Sequence, residues 1–357
     1  MRPPTQFRGW YRVGPSSHSP RFPKRGFRRW EKAGIRTLKS GEVFDAAFTL
    51  YRRDGLQLLR LIAVPAAATF GMLALSWHLI GPSLFTTEHP ESVLMQAWEL
   101  IIMLGIGLFA AAPFIFLAYS YMSGAVALFV SDRHLGRWPN AAVIHRLTLR
   151  KLPRLVLANL AILLAVCAGW IVGGGLLLLS ALISARTGDA DPYAPVISVL
   201  GVLGLMGGTL VLPFAFSAYC LAPLVLLLER VSVRRALSRS RELMGGLSDP
   251  ARMTAIGLAV VTLLLQLLLW GSLQLPAGML EQGAFTADIA SGTLLFKVAY
   301  QMVSLLGAFV SFILVHPVLI SGLTLLYYDR RVRAEGYDIE LLSQEIWKRD
   351  RSVDFEL

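Results

Sequence analysis

PFAFSAYCLAPLVLLLERVSVRRALSRSRELMGG, residues 213–246, is an apolar run that stops at Glu229 and Arg230 and turns into a basic amphipathic helix. From Val231 onward Val233, Ala236, Leu237, Leu243 and Met244 fall at helical spacing, while Arg234, Arg235, Ser238, Arg241 and Glu242 face elsewhere. A helix of this kind lies along a membrane surface, its cations among lipid phosphates and its apolar stripe dipping into the acyl boundary. The stretch therefore predicts a spanning helix followed by an interfacial one. The rest of the chain reads as variations on that unit.

Composition agrees. With 55% hydrophobic and 16% charged residues, the chain is too apolar for a soluble domain. It also holds several runs longer than the roughly 20 residues that cross a bilayer. The fold class expected is all-α: a polytopic membrane protein with six transmembrane helices and three cytoplasmic interfacial amphipathic helices. The net charge of +11 is concentrated at one end, since residues 1–40 hold 11 Lys/Arg against a single acid, Glu31. Cys167 and Cys220 both lie inside apolar runs, where cysteine behaves as a small hydrophobe. Two cysteines support neither a disulfide framework nor a metal-ligand pattern, and no cofactor is expected.

Three regions follow in order: a basic arm over 1–39, an integral membrane domain over 40–328 and a cytoplasmic tail over 329–357. The arm mixes cations, prolines and aromatics without periodicity, which reads as disorder. It lacks the apolar core of a signal peptide. A polybasic segment beside a membrane meets anionic lipid more readily than nucleic acid, so no nucleic-acid partner is expected. Ser40 is the expected cap of a first surface helix, SGEVFDAAFTLYRRDG, followed by a span over 56–80. A second span covers about 98–130, with Pro113 as its kink. A second surface helix follows in RWPNAAVIHRLTLRKLPRL, capped by Asn140 and carrying Arg146, Arg150 and Lys151. The remaining spans are placed at about 155–183, 196–228, 253–275 and 294–328. Gly245 and Gly246 are expected to end the third surface helix.

Counting cations orients the chain. The connections 131–154 and 229–252 carry six Lys/Arg each, whereas the three opposite loops carry only Arg186. By the positive-inside rule both termini and all three surface helices are cytoplasmic. The candidate lipid-headgroup contacts are accordingly Arg234, Arg235, Arg239, Arg241, Arg146, Arg150 and Lys151.

The pattern of surface helix, span, acidic loop and long span recurs at roughly 41–130, 139–228 and 231–328. Pro113, Phe114, Phe116, Ala118 and Tyr119 match Pro213, Phe214, Phe216, Ala218 and Tyr219, and the long spans close on Asp132-Arg133, Glu229-Arg230 and Asp329-Arg330. The alternative is chance similarity among apolar helices that enter a polar boundary.

Chemistry is harder to find. His316 is the one clearly embedded ionisable group and, with Gln266, reads as a helix-packing hydrogen-bonder. Glu99, His78, Arg60 and Lys297 lie at span ends. No HExxH, GxSxG or phosphate-cradling loop occurs. The glycines of AGWIVGGG (168–175) and GVLGLMGG (201–208) suit close helix packing in lipid rather than a nucleotide loop.

SGEVFDAAFTLYRRDGLQLL, APLVLLLERVSVRRALSRSRELMGG and LLYYDRRVRAEGYDIELL resemble the opening, middle and closing signatures of the glycerophosphoryl diester phosphodiesterase membrane domain family of prokaryotes. The resemblance covers about 40–342. It implies a membrane domain that in some members precedes a catalytic barrel of ≈ 250 residues, for which the stretch after Tyr328 is too short. The basic arm before Ser40 departs from the family's pattern. The expected function is that of a non-catalytic integral membrane protein, a scaffold or subunit with membrane lipids and membrane proteins as partners. The alternative is a transporter, channel or lipid-translocating protein, which a cavity inside the bundle would favour over solid packing.

Overall fold

The computed structural model describes residues 38–84, 93–187, 193–229, 231–286 and 294–336. Its elements are α-helices: α1 (Ser40–Leu84), α2 (Val93–His134), α3 (Ala141–Thr187), α4 (Tyr193–Tyr219), α5 (Ala222–Leu228), α6 (Val233–Met244), α7 (Pro250–Thr286) and α8 (Leu294–Glu335). Six segments are long and apolar enough to cross a membrane, within α1, α2, α3, α4 with α5, α7 and α8. The chain is a multi-pass, all-helical integral membrane protein. The arm up to residue 37 and the tail from 337 lie outside the described residues, whereas residues 329–335, expected in the tail, continue α8.

The interfacial helices differ from the expectation in two of three cases. The first two are not separate: they run without a break into the following spans as α1 and α3. Gly55, the last residue of the expected surface helix, costs only about 1 kcal/mol in a helix interior, too little to end one. Pro153 is likewise carried within α3. The third is independent. Ser232 caps α6 by accepting the Arg235 N–H at 3.4 Å, and Gly245 ends it at φ 65°, a backbone shape that a side chain would strain. A Cβ there would also lie 2.4 Å from Asp249 Oδ2.

Two smaller corrections follow from backbone bonding. Ser40 is the first helical residue rather than the cap. Lys39 holds that place, its N–H bonded to Glu42 Oε2 at 3.0 Å, and Ser40 Oγ instead accepts from Thr254 Oγ1 at 2.7 Å. The fourth span is two helices, because Pro223 has no N–H to offer the preceding turn and the chain restarts as α5. Asn140 caps α3 as expected, accepting the Ala142 N–H at 3.0 Å.

The glycine-rich stretches pair α3 with α4. A Cβ on Gly169 would lie 2.4 Å from Gly208 Cα, and one on Gly173 would lie 2.5 Å from the Leu205 nitrogen, so the backbones touch. Trp170 Nε1 donates to Thr209 Oγ1 at 3.1 Å, and Ser180 Oγ donates to the Ala194 carbonyl at 2.7 Å, fastening the same seam. Away from it α3 and α4 present Leu164, Ile171, Val172, Leu178, Val199 and Leu210 outward, as a lipid-facing surface does.

The protein core lies at the cationic end, where the last turns of the three closing helices meet: Met122–Val130 of α2, Leu221–Leu227 and Leu323–Tyr328 of α8 are almost wholly buried. Each hairpin is locked there. Arg133 at the end of α2 reaches Asp54 of α1 at 2.7 Å, and Arg330 at the end of α8 reaches Asp249 before α7 at 2.9 Å. In the middle hairpin the polarity reverses, with Lys151 of α3 donating to the Leu227 carbonyl of α5 at 2.5 Å. All three bonds join a closing helix to the junction that opens its own hairpin. Buried Val43, Ile144 and Ala236 likewise stand one turn before buried Ala47, Thr148 and Ser240, a correspondence of the kind a repeat would produce.

Candidate functional site

Among the described residues, an intramembrane cavity and a cleft open off this core. The first, of about 430 Å³, lies inside the bundle and takes wall residues from all three hairpins: Phe70 of α1, Phe116 and Tyr119 of α2, Ile162 of α3, Phe216 of α4 and Phe312 of α8 among them. Several of its polar groups are bonded within the wall. Thr69 donates to the Pro65 carbonyl at 2.8 Å, Ser123 to the Ser120 carbonyl at 3.1 Å and Asn159 Nδ2 to Ser120 Oγ at 2.9 Å. A wall mostly of aromatic and aliphatic carbon offers little to an ion or a sugar. It offers dispersion contact to hydrocarbon.

His316 stands behind this wall. Its ring stacks on Phe312 at 4.9 Å between centroids and packs on Tyr119 at 5.0 Å, and its Nε2 has no hydrogen-bond partner. It is therefore held by ring packing rather than by the interhelical hydrogen bond expected of it. Gln266 does make that bond, to Ser311 Oγ at 2.8 Å. The side chains of His78, Glu99 and Lys297 lie outside the described residues, and Arg60 is exposed.

The second cavity is a cleft of about 690 Å³ at the cationic end, bounded by α3, α4, α6 and the start of α7. Arg234, Arg241 and Arg252 supply its charge, while Ala161, Ala165 and Leu237 supply apolar surface. Arg241 sits over the Tyr219 ring at 5.9 Å. The one acid on the rim, Glu242, is engaged by Ser238 at 3.0 Å, Arg235 at 3.2 Å and Arg239 at 3.4 Å. The Ser238 hydroxyl, with Arg235 and Arg239 beside it, holds the Glu242 carboxyl below the usual range, so it stays ionised.

The seven expected headgroup contacts separate into three groups. Arg234 and Arg241 are exposed into the cleft, and Arg146 and Arg150 are exposed on α3. Arg235 pairs with Glu242 on the surface. Arg239 and Lys151 are braces: Arg239 joins Glu229, Glu242 and Glu335, and Lys151 holds the end of α5. The stripe of α6 does not dip into lipid either. Ala236, Ser240, Leu243 and Met244 are buried against the bundle, with Ser240 Oγ donating to the Ala218 carbonyl at 2.9 Å. A helix of mixed face finds a neighbouring protein surface as apolar as the acyl boundary, and hydrogen bonds then decide in favour of protein.

Arg252 is the residue that sequence reasoning missed. It lies one position before Met253, where the fifth span was expected to begin, and its signal was only an isolated cation past the Gly245-Gly246 break. A scan against protein-family models, a search of curated proteins and a search of solved structures each return no match.

Proposed function

We propose that this chain is a lipid-handling membrane protein: it receives the hydrocarbon part of an amphiphile in the cavity between its three hairpins. The observation that carries the reading is the cavity's lining, predominantly apolar and drawn from helices of all three hairpins. At about 430 Å³ it falls in the range of ligand pockets, roughly 300–1,000 Å³. The scaffold expected from the sequence needs a bundle packed solid at this place. An ion channel or polar-solute carrier needs unoccupied polar groups along its path. The lipid-translocating alternative needs neither, and the cavity favours it.

In this reading the protein works without covalent chemistry, sits in a prokaryotic plasma membrane and keeps both termini cytoplasmic, as its cationic connections support. Kinship with the glycerophosphoryl diester phosphodiesterase membrane domain family belongs to the same proposal and rests on the three motifs quoted above.

The test is lipid retention. Full-length protein exchanged into detergent should keep bound lipid through native mass spectrometry. Val166→Trp, which turns an indole into the cavity, should lower that retention at least about tenfold with the helical circular dichroism intact. Equal retention by the variant would refute the reading and return the cavity to a packing defect.

A further inference from the structure

We infer that the cleft walled by Arg234, Arg241 and Arg252 is a binding site for a phosphate-bearing anion, and that its natural occupant is an anionic phospholipid with a terminal phosphate. The inference rests on residues separate from the intramembrane cavity, so either can fail alone.

Arg252 carries the argument. Its side chain is only 8% exposed, yet its Nε–H has no partner. Of its other donors, Nη2 bonds the Gly245 carbonyl at 3.0 Å, the exposed end of α6. A guanidinium removed from water with a donor left open is costly unless an anion completes it. The nearby carboxylates are already committed. Glu242 is taken by Ser238, Arg235 and Arg239, and Asp249 by Arg330 at 2.9 Å and the Ala251 N–H at 2.9 Å. Among the described residues neither Arg234 nor Arg241 has an ion pair. Three guanidinium groups thus line one cleft of about 690 Å³ without a free acid between them.

The chemistry narrows the ligand. Planar guanidinium forks match the oxygens of a phosphate, and several forks around one group suit a dianionic terminal phosphate better than a diester. The floor separates a lipid from a free ion. Ala161 and Ala165 lie on the span of α3, past the buried Leu155, so the cleft continues from the charged boundary into hydrocarbon depth. Small side chains there leave a groove in which an acyl chain can lie while its phosphate meets the arginines. Tyr219, beneath Arg241, has the amphipathic character of a residue at that boundary.

The experiment uses the full chain in neutral detergent, with phosphatidic acid, phosphatidylcholine and inorganic phosphate as separate probes, read by native mass spectrometry and by competition. Phosphatidic acid should bind in preference to phosphatidylcholine. Arg234→Gln with Arg241→Gln should weaken it on the order of tenfold to hundredfold, and Arg146→Gln with Arg150→Gln should change it less than about twofold. Arg252→Gln should act in the same direction, and the exposed pair keeps the test decisive if that variant does not fold. Inorganic phosphate competing only far above the lipid's own concentration would assign the site to the lipid. Phosphate binding as tightly as phosphatidic acid would assign it to a soluble phosphate and overturn the lipid occupant. Equal losses in the cleft pair and the α3 pair would overturn the site itself. Loss of phosphatidic acid binding in Val166→Trp alone would sink only the cavity's independence.

Discussion

Gly169→Ala tests whether α3 and α4 are held by backbone contact. The added methyl would sit 2.4 Å from Gly208 Cα, against about 3.4 Å for ordinary contact, and backbone cannot swing aside as a side chain does. The two helices must separate by about 1 Å. That strain amounts to about 1–3 kcal/mol, and the same movement stretches the Trp170–Thr209 and Ser180–Ala194 bonds, each worth about 0.6 kcal/mol in a membrane protein. The expected loss is about 2–4 kcal/mol. Gly174→Ala is the control, because nothing lies within 4 Å of a Cβ there and alanine favours the helix by up to about 1 kcal/mol. Reversible unfolding in mixed micelles, followed by circular dichroism, should show Gly169→Ala losing stability and Gly174→Ala unchanged or improved. Equal stabilities for the two variants would refute close packing as the force that joins these helices.

The hairpin lock predicts that Asp54→Asn costs about 2–4 kcal/mol, since it strands Arg133 in a setting where the pair is mostly buried. Adding Arg133→Gln should recover part of that loss, and a double-mutant cycle with no coupling energy would rule out the lock. Arg239→Gln should destabilise the protein by more than about 1 kcal/mol, because three carboxylates lose a shared partner. Arg235→Gln, at an exposed pair, should stay within about 0.5 kcal/mol, and reversal of this order in thermal unfolding would contradict the brace. Cysteines placed at Ser83, Gly188 and Gly283 in a variant lacking Cys167 and Cys220 should react with an impermeant thiol reagent in whole cells; reaction at Arg137 or Ser240 instead would invert the orientation.

Much of this architecture was legible in one dimension because a bilayer makes demands on single segments. Every spanning segment must be apolar over a helix's length and must satisfy its own backbone, so residues such as 155–183 declare themselves without reference to any other. Local signals behaved similarly. The Gly245-Gly246 pair ended α6, Asn140 capped α3, and the small residues of 168–175 and 201–208 marked a backbone-to-backbone helix contact.

Decisions that depend on a partner were not legible. Whether Arg239 or Arg234 meets lipid turns on where Glu229 and Glu335 lie, and those residues come from the ends of different hairpins. The α6 stripe has the same amphipathic pattern whether it covers lipid or protein, and only the Ser240–Ala218 bond and the surrounding helices settle that it covers protein. The cavity and the cleft are spaces left between side chains far apart in sequence, so no window of residues encodes either one. Arg252 shows the limit most directly: as a letter it is a cation at the mouth of a span, and it becomes a binding residue only because α6 folds back over it and leaves its Nε–H without a partner.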